Sequence, residues 1–140
     1  MSTVEITQLL YRLYALMDER DFDALATVFT EDADGRTPGG HARGRDSLIA
    51  QARRNHEHIP HLQHRVSNVL VEPVNDGEAR IRAVVEAVFA DESAEPVYRL
   101  GEVYRARAVR ENGEWRLAGF AMEPVWHTGI RPLAAPGKTA

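Results

Sequence analysis

A chain of 140 residues, 44% hydrophobic and with a formal net charge of −4, has the size and composition of one globular domain with a single core. Its acidic and basic residues are interspersed, which argues against a nucleic-acid surface, and the lack of cysteine excludes disulfides and thiol chemistry. No apolar run approaches the roughly 18 residues of a membrane span, and the N-terminus lacks the basic flank and apolar core of a signal peptide. We therefore expect a cytoplasmic protein with no membrane partner.

The first predicted element is an amphipathic helix over residues 3–17. Apolar residues recur there at spacings of three and four, the period of a helix with one buried face. At about 100° per residue, Tyr14 and Asp18 fall on one flank of that apolar stripe. The helix should therefore deliver a hydroxyl and a carboxylate to the edge of the core. Because Asp18 is an anion at a helix C-terminus, it needs solvent or a specific partner.

Two further helices are expected before the chain changes its pattern. Asp21 can cap a short second helix, and a third should run from Arg45 to His58, where Pro60 prevents its continuation. The segment between them is rich in Gly and Pro, which predicts turns with one short extended piece at residues 33–37. Three N-terminal helices are therefore predicted.

From His61 onward the hydrophobic period becomes two, which is typical of strands, and turn-forming tetrapeptides separate the runs. Four consecutive antiparallel strands are predicted: Leu62–Val74, Glu78–Asp91, Pro96–Arg110 and Glu114–Trp126. The domain would then cover residues 1–127. Residues 128–140 are rich in Pro, Gly and Ala and are expected to form a flexible tail.

The first of these strands carries polar residues on a face that should pack on the core. Alternation places His64 and Asn68 on the same face as Val66 and Leu70. Polar groups on a buried face must find partners. Since the helical half should meet the sheet there, Asp18 is the expected partner of His64.

A cluster of four histidines invites comparison with zinc sites: His56, His58, His61 and His64. Residues two apart on a helix do not share a face, and residues three apart on a strand point to opposite faces. A zinc site needs three or four converging ligands, so we predict no metal site. His41, in a Gly-rich turn, and His127, beyond the last strand, are expected to be exposed.

Several segments resemble the nuclear transport factor 2-like superfamily, in an order typical of that fold. The first helix of that superfamily and the segment that follows it resemble YALMDERDFDALATVFTEDA, and the start of its third helix resembles GRDSLIAQ. Its H-x-x-x-N strand resembles QHRVSNVLVE, and its last hairpin resembles RENGEWRLAGF. The pattern is most similar to the SnoaL-like subgroup. The resemblance implies an α+β fold in which three helices and a curved antiparallel sheet form a cone-shaped pocket. This fold hosts isomerases, dehydratases, cyclases and non-enzymatic binders, so it does not by itself give a function.

The resemblance to the scytalone dehydratase branch carries over to two residues. That branch uses an aspartate at the end of the first helix and a histidine on the strand after the third, and Asp18 and His64 match these positions. Met17 stands where the branch has a tyrosine, and its second histidine and strand tyrosine have no counterpart here. Steroid-isomerase-like members carry their base where this chain has Thr37, which is no general base near neutral pH.

We therefore predict a small-molecule enzyme without a cofactor, of the lyase, isomerase or polyketide-cyclase type, with a hydrophobic cyclic substrate. His64 is the predicted acid or base, Asp18 the carboxylate that orients it, and Tyr14 a polarising donor. The predicted substrate contacts are Asn68, Tyr104 and Trp126. The alternatives are a non-catalytic binder with the same cavity and a protein-interaction module. In either case Asp18 and His64 could be purely structural.

A homodimer is the expected assembly, because members of this superfamily commonly pair through their sheets. Four arginines alternate with apolar positions along the predicted strands and should form a solvated or interface face: Arg80, Arg82, Arg105 and Arg107. Trp126 is expected either at the mouth of the pocket or at a dimer contact. No nucleic acid or membrane partner is expected.

Overall fold

The computed structural model of the protein describes residues 2–132 and shows an α+β fold built on one six-stranded sheet. In chain order the elements are helix α1 (Ser2–Asp18), a 3-10 segment (Asp23–Thr27), strands β1 (Phe29–Thr37) and β2 (Gly40–Arg43), helix α2 (Arg45–His56), and strands β3 (His61–Asn75), β4 (Glu78–Ala90), β5 (Pro96–Glu111) and β6 (Glu114–Gly129). The strands lie in the order β2, β1, β6, β5, β4, β3. Within the described residues no helix is long and apolar enough to cross a membrane.

The four long strands predicted from period-two alternation are β3 to β6, and each pairs antiparallel with the next. Their turns fall at the predicted tetrapeptides. Shifts of register in all three pairings are bulges or irregularities, which bend a sheet and help it to curve around the helices. Strand β6 continues past Trp126 to Gly129, so it crosses the boundary predicted at residue 127. Residues 133–140 of the predicted tail lie outside the described residues.

Two α-helices, not three, precede the long strands in the described chain. The predicted second helix is the short 3-10 segment. Its cap position is Phe22, which makes no side-chain hydrogen bond to the backbone, and Asp21 does not act as the cap. The segment has only five residues before the chain turns into β1 at Phe29, and a piece this short commonly adopts i to i+3 hydrogen bonds. Helix α2 ends at His56, two residues earlier than predicted.

The Gly- and Pro-rich segment forms a hairpin of two strands rather than turns with one extended piece. Strands β1 and β2 pair antiparallel, and β1 also pairs in parallel with β6, so the sheet is mixed rather than wholly antiparallel. The hairpin lies close to the helical layer. A Cβ atom at Gly35 would be 2.4 Å from the Phe120 ring and 2.7 Å from Leu48, so only glycine fits at that position.

A β-bulge in β3 reverses the direction of the side chains that follow it. The pairing with β4 shifts by one residue between Ser67 and Leu70, and Asn68 has a φ of 51°. One inserted residue moves every later side chain to the other face of the sheet. Leu70 and Asn68 are therefore exposed, whereas Val69 packs against the core. The prediction that Asn68 and Leu70 share the inward face of His64 is wrong.

The main core lies between α1 and the inner face of the sheet. The buried residues of α1 follow the predicted helical stripe: Ile6, Leu9, Leu10, Leu13, Tyr14 and Met17. The inward residues of β4 alternate strictly: Ala79, Ile81, Ala83, Val85, Ala87 and Phe89. Burying such apolar side chains stabilises the fold by about 1.5–3 kcal/mol for each large one. This packing brings the C-terminal end of α1, with Asp18, to the first residues of β3, where His64 lies.

Candidate functional site

A cavity of about 100 Å³ lies between the helices and the inner face of the sheet. Its wall is mostly apolar. The charged or titratable side chains on it are Tyr14, His56, His64, Glu102, Tyr104 and Arg131. A mostly apolar cavity with a few converging polar groups is the usual form of a small-molecule site. For scale, an engineered apolar cavity of about 150 Å³ can hold benzene.

His64 lies on this wall and forms a pair with Asp18, which lies behind it. His64 Nδ1 lies 2.7 Å from Asp18 Oδ1, and the backbone N–H of His64 donates to Asp18 Oδ2 at 3.0 Å. The His64 side chain is 5% exposed and that of Asp18 25%. Because an ionised carboxylate can only accept, Nδ1 is the donor, and Nε2 of the neutral imidazole is left unprotonated. The pair therefore has the tautomer of a base whose free nitrogen is Nε2.

Tyr14 lies one helical turn before Asp18 and contacts the imidazole. Its ring centroid is 4.8 Å from that of His64 and 6.0 Å from that of Tyr104. Burial raises the pKa of the Tyr14 hydroxyl well above its usual value, and the nearby Tyr104, Glu102 and Asp18 raise it further. The hydroxyl therefore stays protonated and can act as a hydrogen-bond donor. Its position at the pair agrees with the prediction, whereas its role stays a prediction.

Tyr104 supplies a second hydroxyl from the sheet. It is 1% exposed, and its ring stacks on Phe120 with centroids 5.2 Å apart. Burial raises the pKa of this hydroxyl as well. Among residues 2–132 the hydroxyl has no hydrogen-bond partner. A buried donor without a partner is uncommon in folded proteins, and here it lies on a cavity wall where a ligand could accept from it.

Glu102 lies two residues before Tyr104 on the same face of β5, and sequence reasoning did not single it out. Glu102 is 7% exposed. Burial raises the pKa of its carboxyl, and the charge of Arg131 lowers that pKa in part. Alternation along this strand places Glu102 and Tyr104 on one face but does not indicate that this face turns inward. The available signal was a carboxylate between the apolar neighbours Leu100 and Tyr104.

His56 is the last residue of α2 and lies beside the pair, with its ring centroid 5.6 Å from that of His64. Its Nδ1 donates to the Ala52 carbonyl at 2.8 Å. Burial, and after it the nearby His64, lower the pKa of His56 to about 4, while the bond to Ala52 acts in the opposite direction. At neutral pH His56 is therefore a neutral imidazole whose Nε2 can accept a hydrogen bond.

Arg131 reaches the cavity wall from the residues just after β6. Its guanidinium carbon lies 5.1 Å from the centroid of the Phe89 ring, and Nη2 donates to the Asn55 carbonyl at 3.2 Å. His58 Nε2 lies 3.3 Å from the carbonyl oxygen of Pro132, so two contacts join this segment to the end of α2. Sequence reasoning missed Arg131 because it assigned residues 128–140 to a tail.

Comparison with known proteins agrees with this architecture. The family model of the SnoaL-like domain matches residues 2–121. The chain belongs to the SnoaL-like domain family. No curated protein sequence matches it. The predicted relation to the SnoaL-like subgroup is confirmed.

Solved structures similar to this SnoaL-like domain cover nearly its whole length. A protein of Novosphingobium aromaticivorans, provisionally named a scytalone dehydratase, aligns with a TM-score of 0.84 and 22% identity over 99% of this chain and 95% of its own. A hexachlorocyclohexane dehydrochlorinase, LinA-type3 of Novosphingobium barchaimii, aligns with a TM-score of 0.81 and 18% identity over 95% and 92%. A Nostoc punctiforme protein with a cystatin-like fold aligns with a TM-score of 0.76 and 19% identity over 88% and 90%. At these identities the likeness shows the shared fold.

Two predicted substrate contacts of the SnoaL-like domain lie outside the cavity. Asn68 is exposed in the bulge of β3. Trp126 pairs with Gly101, which lies on the face of β5 opposite to Glu102 because neighbours alternate. A Cβ atom at Gly101 would be 2.1 Å from the Trp126 indole, so this side chain covers the outer face. Trp126 is 44% exposed there, and its place in a dimer contact stays a prediction.

The histidine cluster is divided between the site and the surface of the SnoaL-like domain. His56 and His64 line the cavity, whereas His61 lies on the exposed outer face of β3. Within residues 2–132 no three His, Cys, Asp or Glu side chains are placed to hold a metal ion.

Proposed function

We propose that this SnoaL-like protein is a small-molecule enzyme that catalyses an elimination on a hydrophobic, monocyclic substrate. The observation that carries the proposal is the buried His64–Asp18 pair on the wall of an apolar cavity. A carboxylate beside an imidazole fixes its tautomer and stabilises the protonated form, which suits the removal of a proton from carbon. Similar structures include proteins named a dehydratase and a dehydrochlorinase, and both names denote eliminations.

The chemical step uses two groups on the wall. Nε2 of His64 takes the proton from a carbon next to an activating group, while Asp18 stabilises the resulting imidazolium. The electron pair of the broken C–H bond forms the new double bond, and the leaving group departs from the adjacent carbon. In this proposal Glu102, whose carboxyl pKa is raised by burial, gives a proton to a leaving hydroxyl, which releases water. Proton transfer from His64 back to Glu102 restores the starting state.

The two buried tyrosines provide electrostatic stabilisation. Tyr14 and Tyr104 both keep their protons, and the Tyr104 hydroxyl has no partner within the described chain. Donors fixed in a site of low polarity stabilise negative charge that develops on a substrate oxygen, such as that of an enolate. An activating carbonyl on the substrate would therefore accept from one or both hydroxyls.

The size of the cavity limits the substrate. A volume of about 100 Å³ is well below the range of about 300–1,000 Å³ that is typical of sites for drug-sized ligands. A cavity of this size favours a substrate of one small ring over a steroid or a multi-ring polyketide. An isomerase or a cyclase could use the same base. Elimination is favoured because Glu102 adds a proton donor for a leaving group.

A panel of small rings tests the proposal. Wild-type protein is mixed with β-hydroxycyclohexanone or with a chlorinated cyclohexane, and products are followed by the absorbance of the conjugated ketone and by chloride release. We expect turnover with at least one of them. His64→Gln should lower it by about 100-fold or more, because the base is lost. His127→Gln, an exposed histidine outside the cavity, is the matched control.

Exchange of substrate hydrogen separates catalysis from binding alone. In deuterium oxide, the wild type should catalyse exchange of the ring hydrogen next to the carbonyl of cyclohexanone, and His64→Gln should not. A protein that binds these rings but shows neither turnover nor exchange dependent on His64 would be a non-catalytic binder. That result would overturn the proposal.

A further inference from the structure

Arg131 places a positive charge on a mostly apolar wall. Among residues 2–132 it is the only lysine or arginine that lines the cavity. Within residues 2–132 no carboxylate oxygen lies within the 4.0 Å of an ion pair to its guanidinium. Its one hydrogen bond in that part of the chain is to the Asn55 carbonyl. A guanidinium has five N–H donors, so most of them remain available.

The acidic groups nearby form no ion pair with Arg131 in the described part of the chain. Asp18 is bonded to His64. Glu102 is the other carboxyl of the site, and within residues 2–132 it makes no ion pair with Arg131. Burial raises its pKa, which disfavours its charged form, although the charge of Arg131 lowers that pKa in part. His56 and the two buried tyrosines are neutral at neutral pH and carry no countercharge.

A half-buried cation without a countercharge is costly unless a ligand provides one. Transfer of a charge from water into an apolar surrounding is unfavourable, and a paired oxyanion offsets this cost. The planar fork of arginine matches both oxygens of a carboxylate, so the pair can be bidentate. The face of Phe89 and the Asn55 carbonyl hold the guanidinium in place and leave its remaining N–H groups for a ligand.

We propose that Arg131 is a specificity residue that binds a carboxylate carried by the substrate ring. The substrate class is then a small cyclic carboxylic acid whose ring occupies the cavity beside His64. This inference rests on the proposed function, because it names the substrate class of the same site. The Arg131 assignment differs from the proposed function because it concerns recognition of the substrate and does not depend on proton transfer by His64.

Binding of benzoate and benzamide tests the inference directly, because the two probes share shape and differ in charge. Calorimetric titration of the wild type should give a Kd for benzoate about tenfold or more below that for benzamide, as expected for one charge-assisted contact. Arg131→Met keeps much of the apolar stem and should abolish the preference. Arg131→Lys should retain part of it. Arg105→Met, a substitution on the outer face of the sheet, should leave both constants unchanged.

Three results would overturn the inference: equal binding of the two probes, an unchanged preference in Arg131→Met, or no binding of either probe to folded wild type. Circular dichroism and thermal unfolding check that each variant is folded, and Arg131→Lys keeps the test valid if Arg131→Met does not fold. Failure here and failure of the proposed function are distinguishable. His64→Gln should keep the benzoate preference while it loses turnover, and elimination of neutral rings would survive a failure of the Arg131 assignment.

Discussion

The structure contains two histidine–aspartate pairs with nearly the same distance and very different surroundings. His64 and Asp18 lie 2.7 Å apart, with side chains 5% and 25% exposed. His41 and Asp34 lie 2.8 Å apart on the β1–β2 hairpin, with side chains 23% and 49% exposed. The first pair uses Nδ1 and the second uses Nε2. Only the first has a histidine on the cavity wall.

The difference shows that distance alone does not define a candidate site. Water competes for the groups of an exposed ion pair and screens their charges, so such a pair contributes little to stability. In the less polar surroundings of a mostly apolar cavity the same two groups interact more strongly, and the carboxylate stabilises a proton taken up by the imidazole. The buried pair also has neighbours that can contact a substrate, because Tyr14 packs on the His64 ring.

The largest contrast is expected when each aspartate is replaced by asparagine. In Asp18→Asn, the side-chain oxygen can still accept from the His64 backbone N–H, but its NH₂ group would face Nδ1 and force the proton onto Nε2. The base would then have the wrong tautomer. We expect kcat/KM to fall by about 100- to 10,000-fold, the range for loss of general-base function. Asp34→Asn should leave kcat/KM unchanged within about twofold.

Nitrogen NMR of the imidazole rings provides the control for that comparison. The His64 signals should report a proton on Nδ1 in the wild type and on Nε2 in Asp18→Asn. Equal losses of activity in Asp18→Asn and Asp34→Asn would contradict the distinction between the two pairs. The same holds for a loss of activity in Asp18→Asn without a change of tautomer.

The buried environment should also be visible in the pH dependence of stability. The pKa of His56 is about 4 in the folded protein and about 6.5 in an unfolded chain. As pH falls below about 6.5, the unfolded chain binds a proton that the folded protein does not, so the free energy of unfolding decreases. The full cost, reached below about pH 4, is on the order of 3 kcal/mol. Glu102 acts in the opposite direction, because a raised pKa stabilises the folded state in acid and this contribution is lost as pH rises.

Urea unfolding at about pH 4.5 and about pH 7 measures this contribution. His56→Gln should lose less stability than the wild type on acidification, by about 2 kcal/mol. His127→Gln, which removes an exposed histidine, should lose as much as the wild type. If His56→Gln followed the wild-type pH dependence, His56 would not be held neutral by burial.

The sequence predicted the buried pair because two strong periodic signals intersected at it. Helical spacing placed Asp18 on the flank of α1, and alternation placed His64 on an inward face of β3. Both predictions depend on residues that come before the bulge of β3 in the chain. The same alternation failed four residues later at Asn68, because a bulge inserts one residue and leaves no mark in hydrophobic periodicity.

The rest of the site depends on contacts between distant parts of the chain. Glu102, His56 and Arg131 come from β5, the end of α2 and the segment after β6, and only the curvature of the sheet and the return of the chain bring them together. No local pattern encodes such convergence. The 3-10 segment and the β1–β2 hairpin were missed for a related reason, because tertiary packing overrides weak local preference in short elements.

The smallest effects are expected for Tyr104→Phe, which should change the stability of the fold and the activity in opposite directions. Its hydroxyl is buried and has no partner among residues 2–132, so Tyr104→Phe should raise the free energy of unfolding by about 1 kcal/mol. If the hydroxyl donates to the substrate, the same change should lower kcat/KM by about tenfold. Tyr98→Phe, which alters a half-buried residue that does not line the cavity, should change neither. Chemical unfolding and steady-state kinetics on the two variants measure both quantities. A less stable Tyr104→Phe would show that the hydroxyl has a partner in the folded protein, and an unchanged kcat/KM would remove Tyr104 from the set of substrate contacts.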